Sequence, residues 1–460
     1  MASFYVENFG CRATQADGAA IERQFEERGL ARAAAPAQSE IVVLNTCTVT
    51  AAADQDARAA IRRIRRENPG CQIVVTGCYA QRAPEEVAAL PGVTRVIGNS
   101  HKRQLAEIVA PSRRHDALGS VVAQPGFVPL SSLTPDGRSE IYVSDIFAHT
   151  ELLAAPVFDG AGPGSSNERT RPNLKVQDGC DNRCSFCVIP YVRGQSRSLP
   201  LEEIVDEVNA LVQSGYREVV ISGINLGRWG RDFGKPLRFE TVVREILDGT
   251  NLEKLRISSV EPMDWSDELI EMMAHSSRIA KHAHVPLQSG SDRVLRGMHR
   301  KYRPWHYREK LERIRAAMPT AAIGADVMVG FPGESEADFE ETRRLIEELS
   351  FTYLHVFTYS SRPGTPAADL RDQVPVQIAR GRNRILRDLA AEKKLAFMRG
   401  FAGKIVDAIT LNVFDGKSTE ALTDNYLKVR LWGQHETNQW VKARVEQVEN
   451  GALRAVRLPT

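Results

Sequence analysis

Short apolar runs alternate with amphipathic stretches along most of the chain. Between residues 1 and 110, Ser3–Val6, Glu40–Leu44, Gln72–Thr76 and Arg95–Ile97 have the character of strands. Gln15–Arg28, Ala51–Glu67 and Pro84–Ala89 repeat their apolar positions at helical intervals. Strands that alternate with helices predict a parallel sheet. From Leu174 the alternation resumes six times, with strands at Leu174–Gln177, Glu218–Ile221, Lys254–Ser258, His282–Pro286, Ala322–Val329 and Tyr353–Phe357. Helical stretches lie between them, at Leu201–Gln213, Glu240–Leu247, Ser266–Met273, Pro304–Met318 and Glu336–Glu348. Six such units fall short of a closed eight-stranded barrel and predict a partial (β/α)6 barrel, open on one side. Val376–Met398 predicts a helix leading out of it. Beyond Gly403, Lys404–Val413, Tyr426–Leu431, Asn438–Val448 and Ala452–Arg457 read as strands of a small antiparallel β-barrel.

The pattern divides the chain into an α/β domain over 1–110, a connector over 111–170, the partial barrel over 171–398 and the small barrel over 399–460. Pro125-Gly126, Pro135-Asp136-Gly137 and the glycine-rich run from Gly160 break regular structure in the connector, where Ile141–Ile146 is a lone strand candidate. Two or three domains suit 460 residues. A net charge of +2 does not by itself demand a nucleic-acid partner. The first residues lack the basic head and apolar core of a secretory signal, and no apolar stretch is long enough to cross a bilayer. These features predict a cytoplasmic protein without a membrane partner, whose thiols stay reduced.

The seven cysteines sort into groups. Cys180, Cys184 and Cys187 form a CxxxCxxC run just after the first barrel strand. Each thiolate of such a run can bind one iron of a four-iron cubane, and with no fourth cysteine nearby one iron stays open. Zinc and plain buried thiols are the alternatives, but structural zinc wants four ligands, commonly in CxxC pairs. Cys11, Cys47 and Cys78 each end a short strand-like run, which puts three thiols on one edge of a sheet, where open α/β sheets bind ligands. They read as a second cluster site. Cys71 stands at the opposite end of its strand and reads as a structural thiol.

The CxxxCxxC spacing resembles the radical S-adenosylmethionine (SAM) enzymes. With the second cysteine set and the small barrel, the chain is similar to the methylthiotransferases, built from an N-terminal three-cysteine domain, a radical SAM domain and a TRAM domain. Segments carrying the resemblance include Asn8-Phe-Gly-Cys11, Asn45-Thr-Cys47, Thr76-Gly-Cys78, Gly179 to Gly194, His284 to Ser291, Val329 to Glu334 and Tyr359 to Thr365. Ser222-Gly-Ile-Asn-Leu-Gly-Arg-Trp-Gly230 looks most like the branch acting on N6-threonylcarbamoyladenosine at position 37 of tRNA. Related branches act on N6-isopentenyladenosine at that position or on an aspartate of a ribosomal protein. The resemblance implies two 4Fe-4S clusters and SAM as cosubstrate. Cys180, Cys184 and Cys187 would hold the cluster that cleaves SAM. Cys11, Cys47 and Cys78 would hold the one carrying the transferable sulfur. It also implies tRNA as partner and an electron donor of the reductase, flavodoxin or ferredoxin type; the source of replacement sulfur is not legible. A third reading, outside catalysis, is an RNA-binding protein with structural clusters.

Other positions carry two readings each. Phe186 precedes the last triplet cysteine, where the superfamily places an aromatic near the SAM adenine; a packing aromatic is the alternative. Ser222 and Gly223 follow the second barrel strand, where relatives bind the SAM amino group, although the usual Gly-Gly-Glu is absent. Gln288 and Ser289 lie at the catalytic rim or form a turn. Gly330, with Gly333, marks either a close approach to SAM or a tight turn. His282 and His284 share one strand face and read as core histidines. Arg58, Arg62, Arg63, Arg65 and Arg66, and the run from Arg380 to Lys394, form either solvated faces or phosphate contacts.

Overall fold

The computed structural model describes residues 2–111, 139–149, 152 and 170–459. The turn motifs at 125–126, 135–137 and 160–166 lie outside the described residues. The chain separates into two compact units: Met1–His149 with Tyr191–Arg193, and Thr150–Pro190 with Gly194–Thr460.

The first unit is built on strands β1 (Ser3–Asn8), β2 (Ala31–Arg32), β3 (Ile41–Thr46), β4 (Gln72–Gly77), β5 (Val93–Gly98) and β6 (Glu140–Tyr142). They form one parallel sheet in the order β2-β1-β3-β4-β5-β6. Strand β3 is buried along its whole length, as parallel strands covered on both faces must be. Leu44, Ile61, Ile64 and Val75 pack on one face, and Phe4, Ile21, Phe25 and Val43 on the other. The strand expected over 141–146 stops at Tyr142, because Asp145 accepts a hydrogen bond from the Phe147 amide and turns the chain into a short 3-10 helix. Cys71 is buried in the apolar layer at the start of β4, which raises its thiol pKa.

In the second unit the central strands are β7 (Asn173–Asp178), β8 (Arg197–Ser198), β9 (Glu218–Gly223), β10 (Lys254–Ile257), β11 (His282–His284), β12 (Ala322–Val329) and β13 (Tyr353–Thr358). They form two sheets, β10-β9-β7-β8 and β11-β12-β13, joined by bridges from Leu255 to Ile279 and from Ser259 to His284. The six expected strands are parallel neighbours; β8 adds a short antiparallel edge beside β7. The main apolar core fills the layer between strands and helices, with Leu174, Val176, Val219, Ile221 and Leu255 among its members. By strand alternation the opposite faces of the same strands line the barrel interior.

The helix Val376–Arg399 leads to β14 (Ile405–Phe414), β15 (Ser418–Thr423), β16 (Lys428–Trp432), β17 (Trp440–Glu449) and β18 (Ala452–Arg457). These close into a barrel in the order β14-β15-β16-β18-β17. Two details correct the sequence expectation. Strand β15, Ser-Thr-Glu-Ala-Leu-Thr, has no apolar run to announce it; closure pairs it on both edges and buries Thr419 and Thr423. The pair β16–β18 is parallel in an otherwise antiparallel barrel. The β15–β16 turn reaches the central strands. Arg256, fully buried, donates to Glu218 Oε1 at 2.6 Å, to the Asp424 carbonyl at 2.9 Å and to the Thr423 carbonyl at 3.3 Å. Asn425 donates to the Thr320 carbonyl, and Tyr426 sits over Arg256 and beside His282.

Candidate iron–sulfur sites

Each cysteine expected at a sheet edge stands at the carboxyl end of a parallel strand. Cys11 is the N-cap of the helix Arg12–Glu27 that follows β1, and Cys78 opens the helix after β4. Cys47 follows β3 directly and is buried. Two glycines bring these ends together. Gly10 has φ +104°, and a Cβ there would lie 2.6 Å from Cys47 Cβ. Gly77 has φ +98°, and a Cβ there would lie 2.3 Å from the Thr46 carbonyl oxygen. Only glycine permits both the conformation and the approach. Asn8 and Asn45 tie the ends of β1 and β3 by a 2.9 Å hydrogen bond.

The surroundings of this set suit an anionic cluster. Burial, reinforced by the nearby Cys78 and Cys11 thiolates, pushes Cys47 up to about 12. Thiols of that kind ionise at neutral pH when a metal supplies the compensating charge. Lys102 and Arg193 both contact buried Asp17 at 3.0 Å, and burial lowers the Lys102 pKa. Asn99 Nδ2 lies 3.6 Å from Cys78 Sγ, and Asn99 Oδ1 and Thr76 Oγ1 are buried without a protein partner.

The triplet sits on the loop after β7. Gly179 has φ +70°, and a Cβ there would fall 1.9 Å from the Gln195 carbonyl, so the loop doubles back tightly. Cys180 N donates to the Gly194 carbonyl and Cys187 N to the Cys184 carbonyl, both at 3.1 Å. Ser185 fastens the middle of the loop, its amide to the Met298 carbonyl and its hydroxyl to the Gly297 carbonyl. Burial first, then the charge of Cys184, pushes Cys187 up to about 12, and burial also raises Cys180. Asn225 Nδ2 lies 3.6 Å from Cys180 Sγ and Arg300 Nη1 3.2 Å from Cys184 Sγ. Such donors stabilise thiolate charge. Gln177 links the two loops, donating to the Asp178 and Gly179 carbonyls and accepting from the Asn225 amide. Asn99, Asn225, Arg300 and Gln177 were not singled out from the sequence; for Asn99, Asn225 and Gln177 the one signal was position just after, or at the end of, a strand, whereas Arg300 follows the helix Asp292–Gly297 and carried none.

Among the described residues, no three His, Cys, Asp or Glu side chains are grouped to hold a single metal ion. One tetrahedral ion needs sulfurs about 3.8 Å apart, from metal–sulfur bonds of about 2.3 Å. A cubane instead gives each thiolate its own iron and asks for wider spacing.

The remaining sequence candidates are distributed around the same strand ends. Phe186 is half-buried and packs on Val294, Met298, Phe331 and Ala367. Ser222 is buried at the end of β9 with its hydroxyl unpartnered, and Gly223 lies where a Cβ would come 2.8 Å from Gln177 Oε1. Gln288 has φ +62° and is strapped by backbone hydrogen bonds to Asp326 and Met328. The Ser289 hydroxyl is committed to Thr342 and the Ser291 amide, so its side chain serves the turn. A Cβ on Gly330 would lie 2.6 Å from Ala379 Cβ, so helix packing already demands glycine there.

Residues 174–346 match the Radical SAM superfamily, and residues 3–98 match a family described as Uncharacterized protein family UPF0004. The threonylcarbamoyladenosine tRNA methylthiotransferase of Bacillus subtilis is 35% identical over 443 residues, covering 95% of this chain and 92% of the relative. The protein of the same description from Aquifex aeolicus is 35% identical, covering 95% and 99%. A tRNA-2-methylthio-N(6)-dimethylallyladenosine synthase from Syntrophotalea carbinolica is 33% identical, covering 82% and 81%. Among solved structures, the radical S-adenosylmethionine methyltransferase TsrM from Kitasatospora setae shares the fold, with a TM-score of 0.54 at 15% identity over 80% of this chain and 77% of that one.

Proposed function

The chain belongs to the radical SAM tRNA methylthiotransferases, and within that family we propose that it places a methylthio group on C2 of N6-threonylcarbamoyladenosine at position 37 of tRNA. The observation that carries this reading is the pair of three-thiol sites, each at the carboxyl ends of parallel strands. When bound, SAM and a four-iron cluster at each site supply the reductive bond cleavage and the transferable sulfur that the reaction requires. Cys180, Cys184 and Cys187 hold one cluster, and Cys11, Cys47 and Cys78 hold the second. Asn225 and Arg300 donate toward sulfurs of the first site, and Asn99 toward the second. The unpartnered Ser222 hydroxyl, the backbone at Gly223, Gln288, Ser289 and Gly330, and the Phe186 ring are the groups available to SAM. The working domains are 1–110, 171–398 and 399–460, with 111–170 as connector. A small redox protein of flavodoxin or ferredoxin type, or a reductase, supplies electrons. No helix among the described residues is long and apolar enough to cross a membrane.

Several basic side chains once open to a phosphate reading have structural partners. Arg58 pairs with Glu86, Arg63 with Glu7, and Arg382 with Glu334 and Glu336. Arg62, Arg65, Arg66, Arg380, Arg384 and Arg387 are exposed. On the small barrel, a cleft of about 200 Å³ is lined by Lys417, Arg430, Trp432 and Arg454 together with Asp415 and Glu449; Glu449 pairs with Arg454 at 3.3 Å, and the Arg454 guanidinium lies 4.4 Å from the Trp432 ring centre. Trp432 is 46% exposed, and an aromatic flanked by cations is what an unpaired nucleobase stacks on. Trp432→Ala is expected to weaken tRNA binding about tenfold, within the roughly 1–3 kcal/mol a stacked base contributes, as read by filter binding at fixed salt.

The function is tested by nucleoside mass spectrometry of tRNA from cells lacking the protein. Threonylcarbamoyladenosine should lose its methylthio form while the isopentenyl counterpart stays unchanged. The reverse result would assign the chain to the isopentenyl branch.

A further inference from the structure

The three thiols of the triplet do not share one environment. Cys180 accepts from the Asn182 amide and lies near the Asn225 side chain, and Cys187 accepts from the Ile189 amide, all neutral groups. Cys184 instead faces the Arg300 guanidinium at 3.2 Å. Only 5% of the Arg300 side chain is exposed, so little water screens its charge.

That guanidinium is held on three sides. Nη1 donates toward Cys184, Nε donates to the Tyr302 hydroxyl at 3.3 Å, and Nη2 pairs with Glu261. Tyr302 is buried and donates onward to the Leu287 carbonyl at 2.7 Å, with its ring centre 5.0 Å from the guanidinium. Each nitrogen of the planar fork has its own partner, an arrangement a lysine cannot reproduce. The backbone fixes the same approach. His299 takes φ +57°, and its Nδ1 lies 3.2 Å from the Arg183 carbonyl. Together with the Ser185 bonds to Gly297 and Met298, this clamps the residues before Arg300 to the middle of the triplet loop. Glu261 stands in the loop after β10, which the Val260 amide ties to the His284 carbonyl. Burial pushes the Glu261 carboxyl up, and Arg300 is the first group to pull it back.

Reduction adds one electron, hence one negative charge, to a centre bound by these sulfurs. Net charge, hydrogen bonds to sulfur and solvent exposure set how readily a four-iron centre accepts it. A buried cation beside Cys184 favours the added charge. Alone, it makes the electron easy to load and hard to pass on. The Glu261 carboxylate offsets that charge without removing the N–H aimed at sulfur.

We propose that Arg300 and Glu261 form an opposed pair of positioning residues that sets the reduction potential of the four-iron centre on Cys180, Cys184 and Cys187. Arg300 raises the potential through Cys184, and Glu261 holds it down through Arg300. This rests on the reading that the triplet holds such a centre.

The test uses the full-length chain, reconstituted anaerobically, with Cys11, Cys47 and Cys78 replaced by alanine so that a single centre titrates. The potential is read by titration with dithionite followed by electron paramagnetic resonance, at about pH 8, above the carboxylate range. Glu261→Gln is expected to raise the potential and Arg300→Gln to lower it. Each shift should be about tenfold in the reduction equilibrium, or about 59 mV for one electron. The double variant, Arg300→Gln with Glu261→Gln, strands no buried charge and should return to within about threefold of the parent. Single variants that shift in the same direction would mark the pair as a structural support and overturn the proposal, as would two unchanged potentials. A parent chain without a reducible four-iron centre would instead sink the cluster reading on which the proposal stands.

Discussion

Replacing Cys11, Cys47 and Cys78 together with alanine is expected to abolish methylthio transfer while SAM cleavage survives. Anaerobic reconstitution of the wild-type chain should give about eight irons, two cubanes of four, and the triple variant about four. The expectation follows from where the thiols stand. Each set belongs to its own sheet, and its loop is closed by local glycine geometry at Gly10 and Gly77 or at Gly179. Removing one set therefore leaves the other's supports in place. Alanine at Cys180, Cys184 and Cys187 should do the opposite to cleavage, eliminating 5′-deoxyadenosine formation. Iron analysis together with chromatography of 5′-deoxyadenosine and of the methylthiolated nucleoside separates the two. Loss of cleavage in the Cys11, Cys47 and Cys78 variant, with sulfur chemistry intact, would reverse the roles assigned to the sites.

Arg256→Met is expected to destabilise the second unit by about 3 kcal/mol, the lower end of what breaking a buried ion pair costs. The substitution keeps the volume but leaves Glu218, itself fully buried, without its principal partner; Arg171, 3.5 Å away, softens the loss. It also strips two hydrogen bonds from the turn that fastens the small barrel. The combined variant Arg256→Met with Glu218→Met should recover much of the deficit, because no charge is then stranded. The pH dependence has a defined sign. Burial raises the Glu218 pKa, but Arg256 and Arg171 outweigh it and the net direction is downward. In the wild type this carboxylate therefore contributes stability above the unfolded value near 4.3, lost as pH falls through the folded value. Without Arg256, burial dominates and the sign reverses. The deficit of the single variant should be largest at neutral pH and shrink toward about pH 4. Chemical denaturation across that range checks it, and a deficit independent of pH would show that Glu218 is not the stranded group.

Much of the fold is written locally. Alternating short apolar runs and amphipathic stretches announce βα units because strand and helix periods are short-range properties. A cysteine ending such a run must lie at a carboxyl sheet edge, whichever strands pair, so the strand-end placement of Cys11, Cys47 and Cys78 and the burial of Cys71 at the opposite end of its strand were legible in the sequence. The helix after Cys47 likewise announces itself, since the Thr50 hydroxyl accepts from the Ala53 amide at its N-terminus.

Other features exist only once distant segments meet. Ser418–Thr423 has no strand pattern of its own and becomes one by pairing with β14 and β16. Tyr426 and Asn425 turn inward because the buried Arg256 and the Thr320 carbonyl offer them partners, Arg256 reaching its turn across 168 residues of chain. The buried polar face of Lys175, Gln177, Glu218 and Arg256 is likewise invisible to a periodicity that separates apolar from polar. A strand whose polar face lines a barrel interior carries the same alternation as one facing water, and only the curvature of the sheets decides which of the two a side chain meets.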